Sequence, residues 1–173
     1  MRRRGPGARG VAYGALAWAV PAVVSLAATP AARAAEAPSS AYPTGFSSFQ
    51  ANCAVCHGPA GAGVPALAPP LLSYPARYAA SVEGRRQLAL TVLYGMVGDI
   101  TVDDKHYNFQ MPDFARLDDA TLAATLNLVV FDLGHAPADV KPLTSEEIAA
   151  ERAHAVDGTA VREHRKSVAP SGP

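Results

Sequence analysis

The chain contains two cysteines, and both lie with a histidine in the pentapeptide Cys53-Ala54-Val55-Cys56-His57. On a helix, residues three and four apart share a face, so both thiols and the imidazole can point at one planar ligand. Two thiols can form thioether bonds to a porphyrin edge, while the imidazole binds the iron. This spacing is the attachment signature of c-type haem. It predicts one covalently bound haem c at Cys53 and Cys56, with His57 as an axial ligand of its iron.

Three other kinds of site use paired cysteines, and each fits this sequence less well. A thioredoxin-type pair follows a strand in a βαβ unit, and the sequence shows no such pattern. A disulfide between Cys53 and Cys56 would close a very small loop and stabilise the fold little. A zinc site needs two more ligands, and the other histidines are scattered singly. The haem interpretation is favoured, with these three as alternatives.

The second axial ligand of a haem electron carrier is normally a methionine or another histidine. After the initiator, the sequence contains Met96 and Met111. Met111 stands 54 positions after His57, and Pro112 keeps it out of a helix. These features favour Met111 as the ligand, which would raise the reduction potential above that of a bis-histidine haem. His106 is the alternative, and core filler is the ordinary role of a single methionine.

These ligands must be positioned by helices and by loops between them. A first helix is predicted to begin near Thr44, a fair N-cap, and to run into Cys53 and Cys56. Residues 58–70 are rich in glycine, alanine and proline, which predicts a loop. A short helical turn at 74–80 and a helix at 82–94 follow. Residues 100–114 are predicted to form a polar loop with no clear period.

The best-marked helix has Asp118 as its N-cap and ends at Gly134. Its apolar residues recur at i, i+4, i+7 and i+11 and predict an inward-facing stripe: Leu122, Leu126, Val129 and Leu133. Beyond it, Thr144 and Glu147 predict a capping box and a short helix to about residue 155. Residues 157–173 are polar, with helix predicted around 161–164. No strand pattern is present, so the domain is predicted to be all-α.

Together these features resemble the class I monohaem cytochrome c family over roughly residues 44–134. The resemblance is carried by the attachment motif, the Pro69-Pro70-Leu71 loop, Gly95, the Tyr107-Asn108-Phe109-Gln110-Met111-Pro112 segment and the helix at 117–130. It implies the cytochrome c fold, in which three core helices surround one covalently attached haem. Residues 135–173 would form a C-terminal helical extension.

The resemblance also implies roles for residues around the haem. Pro69 matches the carbonyl that accepts the second ring N–H of the histidine ligand, and Leu71 matches a residue that lines the haem. Tyr107 and Asn108 match positions near the methionine, although a solvated loop is the alternative for both. In the first helix, Gly45 and Phe49 match the small residue and the aromatic that pack against the last core helix.

The N-terminal segment has the three-part layout of a secretory signal. Residues 1–9 are basic, residues 11–28 are largely apolar, and Ala32-Arg33-Ala34 suits signal peptidase. Cleavage after Ala34 predicts an exported, periplasmic protein with no stable membrane span; an uncleaved anchor is the alternative. Residues 35–43 are predicted to be a flexible leader. Export agrees with the motif, since haem is attached to reduced thiols after translocation.

The charge distribution bears on possible partners. From residue 35 onward there are 10 basic and 15 acidic residues, which argues against nucleic-acid binding. The sequence therefore predicts a periplasmic electron carrier, not an enzyme, that serves a dehydrogenase or a terminal oxidase or reductase. A haem enzyme or gas sensor with an open or displaceable sixth iron site is the alternative. The charged C-terminal extension is interpreted as a solvated face, with a partner contact as its alternative.

Overall fold

A computed structural model describes residues 40–168, so the predicted signal peptide and most of the predicted leader lie outside the described residues. The fold is mostly helical, as predicted, with one small hairpin. The α-helices are α1 (Pro43–Asn52), α2 (Ala54–His57), α3 (Tyr74–Tyr78), α4 (Val82–Tyr94), α5 (Asp119–Asn127), α6 (Ser145–Arg152) and α7 (Gly158–Val168); a π-helix (Leu128–Leu133) continues α5. The hairpin strands are β1 (Ile100–Val102) and β2 (Lys105–Tyr107).

Helix α1 begins one residue earlier than predicted. Pro43 occupies its first turn, where a missing N–H is not needed, and Thr44 is therefore inside the helix instead of capping it. Before the helix, Ser40 donates a 2.6 Å hydrogen bond to Asp132, and Tyr42 stacks on the Phe131 ring at 5.9 Å. Residues 40–42 of the predicted leader thus contact the folded domain.

Helices α1 and α5 pack with their backbones close together. A Cβ on Gly45 would collide with the carbonyl oxygen of Ala124, so the approach requires glycine. One turn later Phe49, 1% exposed, packs against Leu128 and Val129. The predicted contact between the first and last core helices is present.

Asp118 caps α5 as predicted, because its carboxylate accepts a 2.7 Å hydrogen bond from the Thr121 N–H. The predicted apolar stripe is buried at its first three positions and half-buried at Leu133. At Leu128 the helix widens to π geometry, with the Gly134 N–H donating to the Val129 carbonyl at 2.9 Å.

The prediction of an irregular loop without strands at 100–114 is wrong in part. Strands β1 and β2 pair antiparallel, with Ile100 opposite Tyr107 and Val102 opposite Lys105. Asp103 and Asp104 form the two-residue turn, both with positive φ, which suits a primed hairpin turn. The short strands carry too few residues for alternation to stand out in the sequence.

The C-terminal extension is docked on the domain through buried apolar residues. Ile148 of α6 and Val161 of α7 are both fully buried. Thr144 and Glu147 form the predicted capping box, but α6 ends at Arg152 and α7 is longer than predicted. Within residues 40–168, no helix has both the length and the apolar character that a membrane crossing needs.

Candidate haem site

The attachment motif lies at the junction of α1 and α2. The N–H groups of Cys56 and His57 both donate to the Cys53 carbonyl, at 3.1 and 2.9 Å, so these residues form one helical turn. All three side chains line a single cavity of about 220 Å³ with mostly apolar walls. Both cysteines are half-buried, and no disulfide joins them. Two thiols and an imidazole therefore share one apolar cavity, as the motif predicts.

Burial raises the pKa of the Cys53 thiol to about 11, and the nearby Arg116 charge opposes this only in part. At neutral pH the thiol is consequently protonated and uncharged. An uncharged sulfur suits the low-polarity cavity in which it lies.

His57 is buried at 9% exposure, and its Nδ1 lies 2.9 Å from the Pro69 carbonyl oxygen. A carbonyl can only accept, so Nδ1 carries the proton and Nε2 keeps a free lone pair. Burial lowers the pKa of His57, while the hydrogen bond to Pro69 acts in the opposite direction. The ring is therefore held neutral with one nitrogen available to a metal, which is the geometry that the resemblance implies for Pro69.

Met96 and Met111 also line the cavity. They form an isolated antiparallel bridge in which each N–H donates to the other's carbonyl, at 3.1 and 3.0 Å. Gly95 has a positive φ of 70°, and a Cβ there would strike the Met111 carbonyl oxygen. Met96 is 8% exposed and packs with Leu90 in a small core, whereas Met111 is half-buried.

The remaining predicted residues divide into two groups. Pro69, Leu71 and Tyr107 line the cavity, and Tyr107 is 5% exposed instead of lying in a solvated loop. Asn108 is exposed and lies outside the cavity lining. His106 is likewise exposed on β2 and outside the lining, with Nδ1 3.3 Å from the Thr101 hydroxyl.

Several polar residues of the lining were not predicted, among them two tyrosines, a glutamine and an arginine. Tyr74 and Tyr78 come from α3, Gln87 from α4 and Arg165 from α7. None of them belongs to a motif, and Arg165 stands more than a hundred positions after the cysteines. Only the path of the chain brings Arg165 to the cavity, so no sequence signal marks it.

Comparison with known proteins places this site in a family. Residues 43–130 match the cytochrome c family model. Cytochrome c-552 of Thermus thermophilus is 38% identical over 120 residues, which cover 68% of this chain and 92% of that protein. The chain belongs to the cytochrome c family. A second cytochrome c-552, from a particular strain of T. thermophilus, is also 38% identical over 120 residues, covering 68% of this chain and 81% of that cytochrome.

Members of the cytochrome c family carry electrons on covalently attached haem c, and Cys53 and Cys56 fit its attachment motif. The residues of the site fit haem c, because the apolar cavity contains two thiols that form no disulfide and a neutral imidazole with one available nitrogen. Among residues 40–168, no cluster of three or more His, Cys, Asp or Glu side chains could hold a metal ion. Family membership thus supports haem over the thioredoxin, disulfide and zinc alternatives.

Proposed function

We propose that this cytochrome is a periplasmic electron carrier whose haem iron is bound by His57 and Met111. When bound, the haem supplies a one-electron Fe(III)/Fe(II) couple. The observation that carries the ligand proposal is that His57 and Met111 line the same cavity, with Nδ1 of His57 already engaged by Pro69. Leu71 and Tyr107 then exclude water from the haem.

Met111 is preferred to Met96 because of its surroundings. Met96 fills a small core together with Leu90 and Val161, in the ordinary role of a buried methionine. Met111 packs against this cluster and against the main core but is only half-buried itself, and Pro112 follows it. Since the two methionines are joined through their backbones, the pair offers a matched test.

The experiment compares Met111→Ala with Met96→Leu in the haem-loaded protein. Met111→Ala is expected to abolish the Met–Fe charge-transfer band of the ferric form, lower the reduction potential and allow carbon monoxide to bind the ferrous form. Met96→Leu is expected to keep the band. Loss of the band in Met96→Leu but not in Met111→Ala would reject this ligand assignment. Carbon monoxide binding to the unmodified protein would favour the enzyme or gas-sensor alternative.

The periplasmic location rests on residues 1–34 and on the chemistry of attachment, which follows export. N-terminal sequencing of the protein from its native host is the measurement. A start near Ala35 is expected, and a start at Met1 would support the uncleaved anchor instead.

The proposed partner is a redox protein, either a dehydrogenase or a terminal oxidase or reductase. Two exposed apolar side chains lie on the cavity rim, Val55 at 78% exposure and Phe109 at 63%. Exposed apolar side chains beside the haem suit transient docking. Val55→Asp is expected to slow electron transfer to the partner, whereas Val82→Asp, at an 80% exposed position outside the lining, is not. Equal slowing in both variants would rule out docking at this rim.

A further inference from the structure

The C-terminal extension contributes charge to the wall of the haem cavity. Arg165 of α7 lines the cavity together with Tyr74 and Tyr78 of α3. The Cζ of Arg165 lies 5.1 Å from the centre of the Tyr74 ring, and the Cζ of Arg77 lies 4.8 Å from the same ring. Two guanidinium groups are thus held on one aromatic side chain at the edge of the cavity.

These two positive charges are not neutralised by their surroundings. No carboxylate among residues 40–168 lies within 4.0 Å of the Arg77 or Arg165 guanidinium. Arg165 makes one long hydrogen bond, from Nη2 to the Thr101 carbonyl at 3.4 Å. The Nε of Arg77 is buried and has no hydrogen-bond partner within the described chain. Buried cationic groups in proteins are normally paired, so this cluster has the charge to bind an anion.

A buried hydroxyl points to the same conclusion. Tyr78 is 4% exposed, and its hydroxyl is buried without a hydrogen-bond partner among the residues described. Its ring meets Tyr74 edge-on at 5.4 Å. Burial raises the pKa of Tyr78, and the charge of Arg165 acts against that rise. The hydroxyl is therefore protonated and able to donate a hydrogen bond, and leaving such a buried donor without a partner destabilises the folded protein.

We infer that Arg165 and the Tyr78 hydroxyl together bind one propionate carboxylate of the haem. A carboxylate satisfies the guanidinium charge and the phenolic donor at once, and a haem in this cavity brings its own carboxylates. Arg77, over the same Tyr74 ring, adds a second positive charge nearby. The extension is then part of the haem site, and α7 helps set the reduction potential. This inference rests on haem occupying the cavity, as proposed, but not on which methionine binds the iron.

The test measures the reduction potential against pH in the isolated haem-loaded protein, so that no partner carboxylate can take part. Arg165→Gln removes the cation that faces the propionate. The uncompensated negative charge of the propionate then stabilises Fe(III) relative to Fe(II). The equilibrium constant for reduction at pH 7 is expected to fall by roughly tenfold, which is a fall in reduction potential of about 59 mV for a one-electron couple. In acid the variant's potential should rise again as the carboxylate, now of higher pKa, takes up a proton.

Lys166→Gln is the matched control. It removes the same charge one residue away, where the side chain is 55% exposed and paired with Glu163 at 3.0 Å. The equilibrium constant for its reduction is expected to stay within about twofold of that of the unmodified protein, because solvent screens an exposed charge. Arg165→Lys should restore most of the potential. Tyr78→Phe removes only the hydroxyl and should introduce pH dependence without changing the charge.

Equal shifts in Arg165→Gln and Lys166→Gln would overturn the inference, as would a pH profile in Arg165→Gln identical to that of the unmodified protein. Optical spectra establish that each variant retains one attached haem. If the unmodified protein lacks the Met–Fe band, the His57/Met111 ligation is wrong, while the comparison between Arg165 and Lys166 stands unaffected.

Discussion

Gly45 is the residue on which the packing of α1 against α5 depends most directly. Its nearest neighbour across the helix contact is the carbonyl oxygen of Ala124, a backbone atom that cannot turn aside. In Gly45→Ala the added methyl group must push the two helices apart. That shift would also loosen the contact of Phe49, 1% exposed, with Leu128 and Val129.

Two opposing terms set the size of the effect. Alanine is favoured over glycine inside a helix by up to about 1 kcal/mol, which would stabilise the variant. Overpacking costs about 1–3 kcal/mol, and a rigid backbone neighbour puts this site at or above the upper end of that range. The free energy of unfolding is therefore expected to fall by about 2 kcal/mol, although the same substitution stabilises an exposed helix.

The assay is guanidinium unfolding of the haem-loaded protein, followed by circular dichroism. Ala51→Gly, at an exposed position of the same helix, calibrates the propensity term and should cost about 1 kcal/mol. A Gly45→Ala protein as stable as the unmodified one, alongside the expected loss in Ala51→Gly, would show that the helices separate at no cost and refute the reasoning.

Two further predictions concern the docking of the C-terminal extension. The Asn127 amide donates a buried hydrogen bond to the Leu143 carbonyl at 2.9 Å and accepts another from the Leu143 N–H at 2.7 Å. Asn127→Ala leaves the Leu143 N–H and carbonyl without partners and should lower the free energy of unfolding by about 2–4 kcal/mol. Urea titration measures the change, and stability like that of the unmodified protein in Asn127→Ala would contradict this role. Hydrogen bonds from the Arg85 side chain lower the pKa of Glu147 below 4.5, with burial opposing and the Thr144 N–H helping. A carboxyl whose pKa is depressed in the folded state stabilises the protein above pH 4.5, and this contribution is lost as the pH falls through the folded pKa. Glu147→Gln should therefore cost about 1 kcal/mol at pH 7 and progressively less as the pH falls below 4.5. A difference that does not change with pH would exclude this ionisation as the cause.

The sequence predicts most accurately the features that are encoded within a few residues. The haem-attachment motif, the Asp118 cap and the Thr144–Glu147 capping box each depend on spacings of three or four positions, so local pattern is sufficient to find them. The paired strands β1 and β2 were missed because three residues cannot establish alternation, and the turn uses two aspartates instead of the commoner Asn-Gly.

Features that depend on the path of the whole chain were beyond the sequence. The sequence around Arg165 is polar and charged, as in a solvated helix. Helix α7 nevertheless brings Arg165 to the cavity, because Val161 of the same helix is buried beside Leu90 and Met96. The charges of the extension are likewise used inside the molecule. Arg152 donates to Asp119 at 2.7 Å and to two carbonyls, so this side chain binds within the protein, whereas the sequence was interpreted as placing it on a solvated face.

The Met96–Met111 bridge has a consequence for the speed of electron exchange. A carrier works fastest when its two charge states differ little in structure, because every displaced atom adds to the reorganisation that each transfer must overcome. Two backbone hydrogen bonds, at 3.1 and 3.0 Å, tie Met111 to a chain segment that is itself anchored by Gly95 and by the buried Met96 side chain. These bonds hold the Met111 backbone whether or not the sulfur binds the iron. With the proposed ligation, the chain segment that carries the sulfur therefore changes little between ferric and ferrous protein.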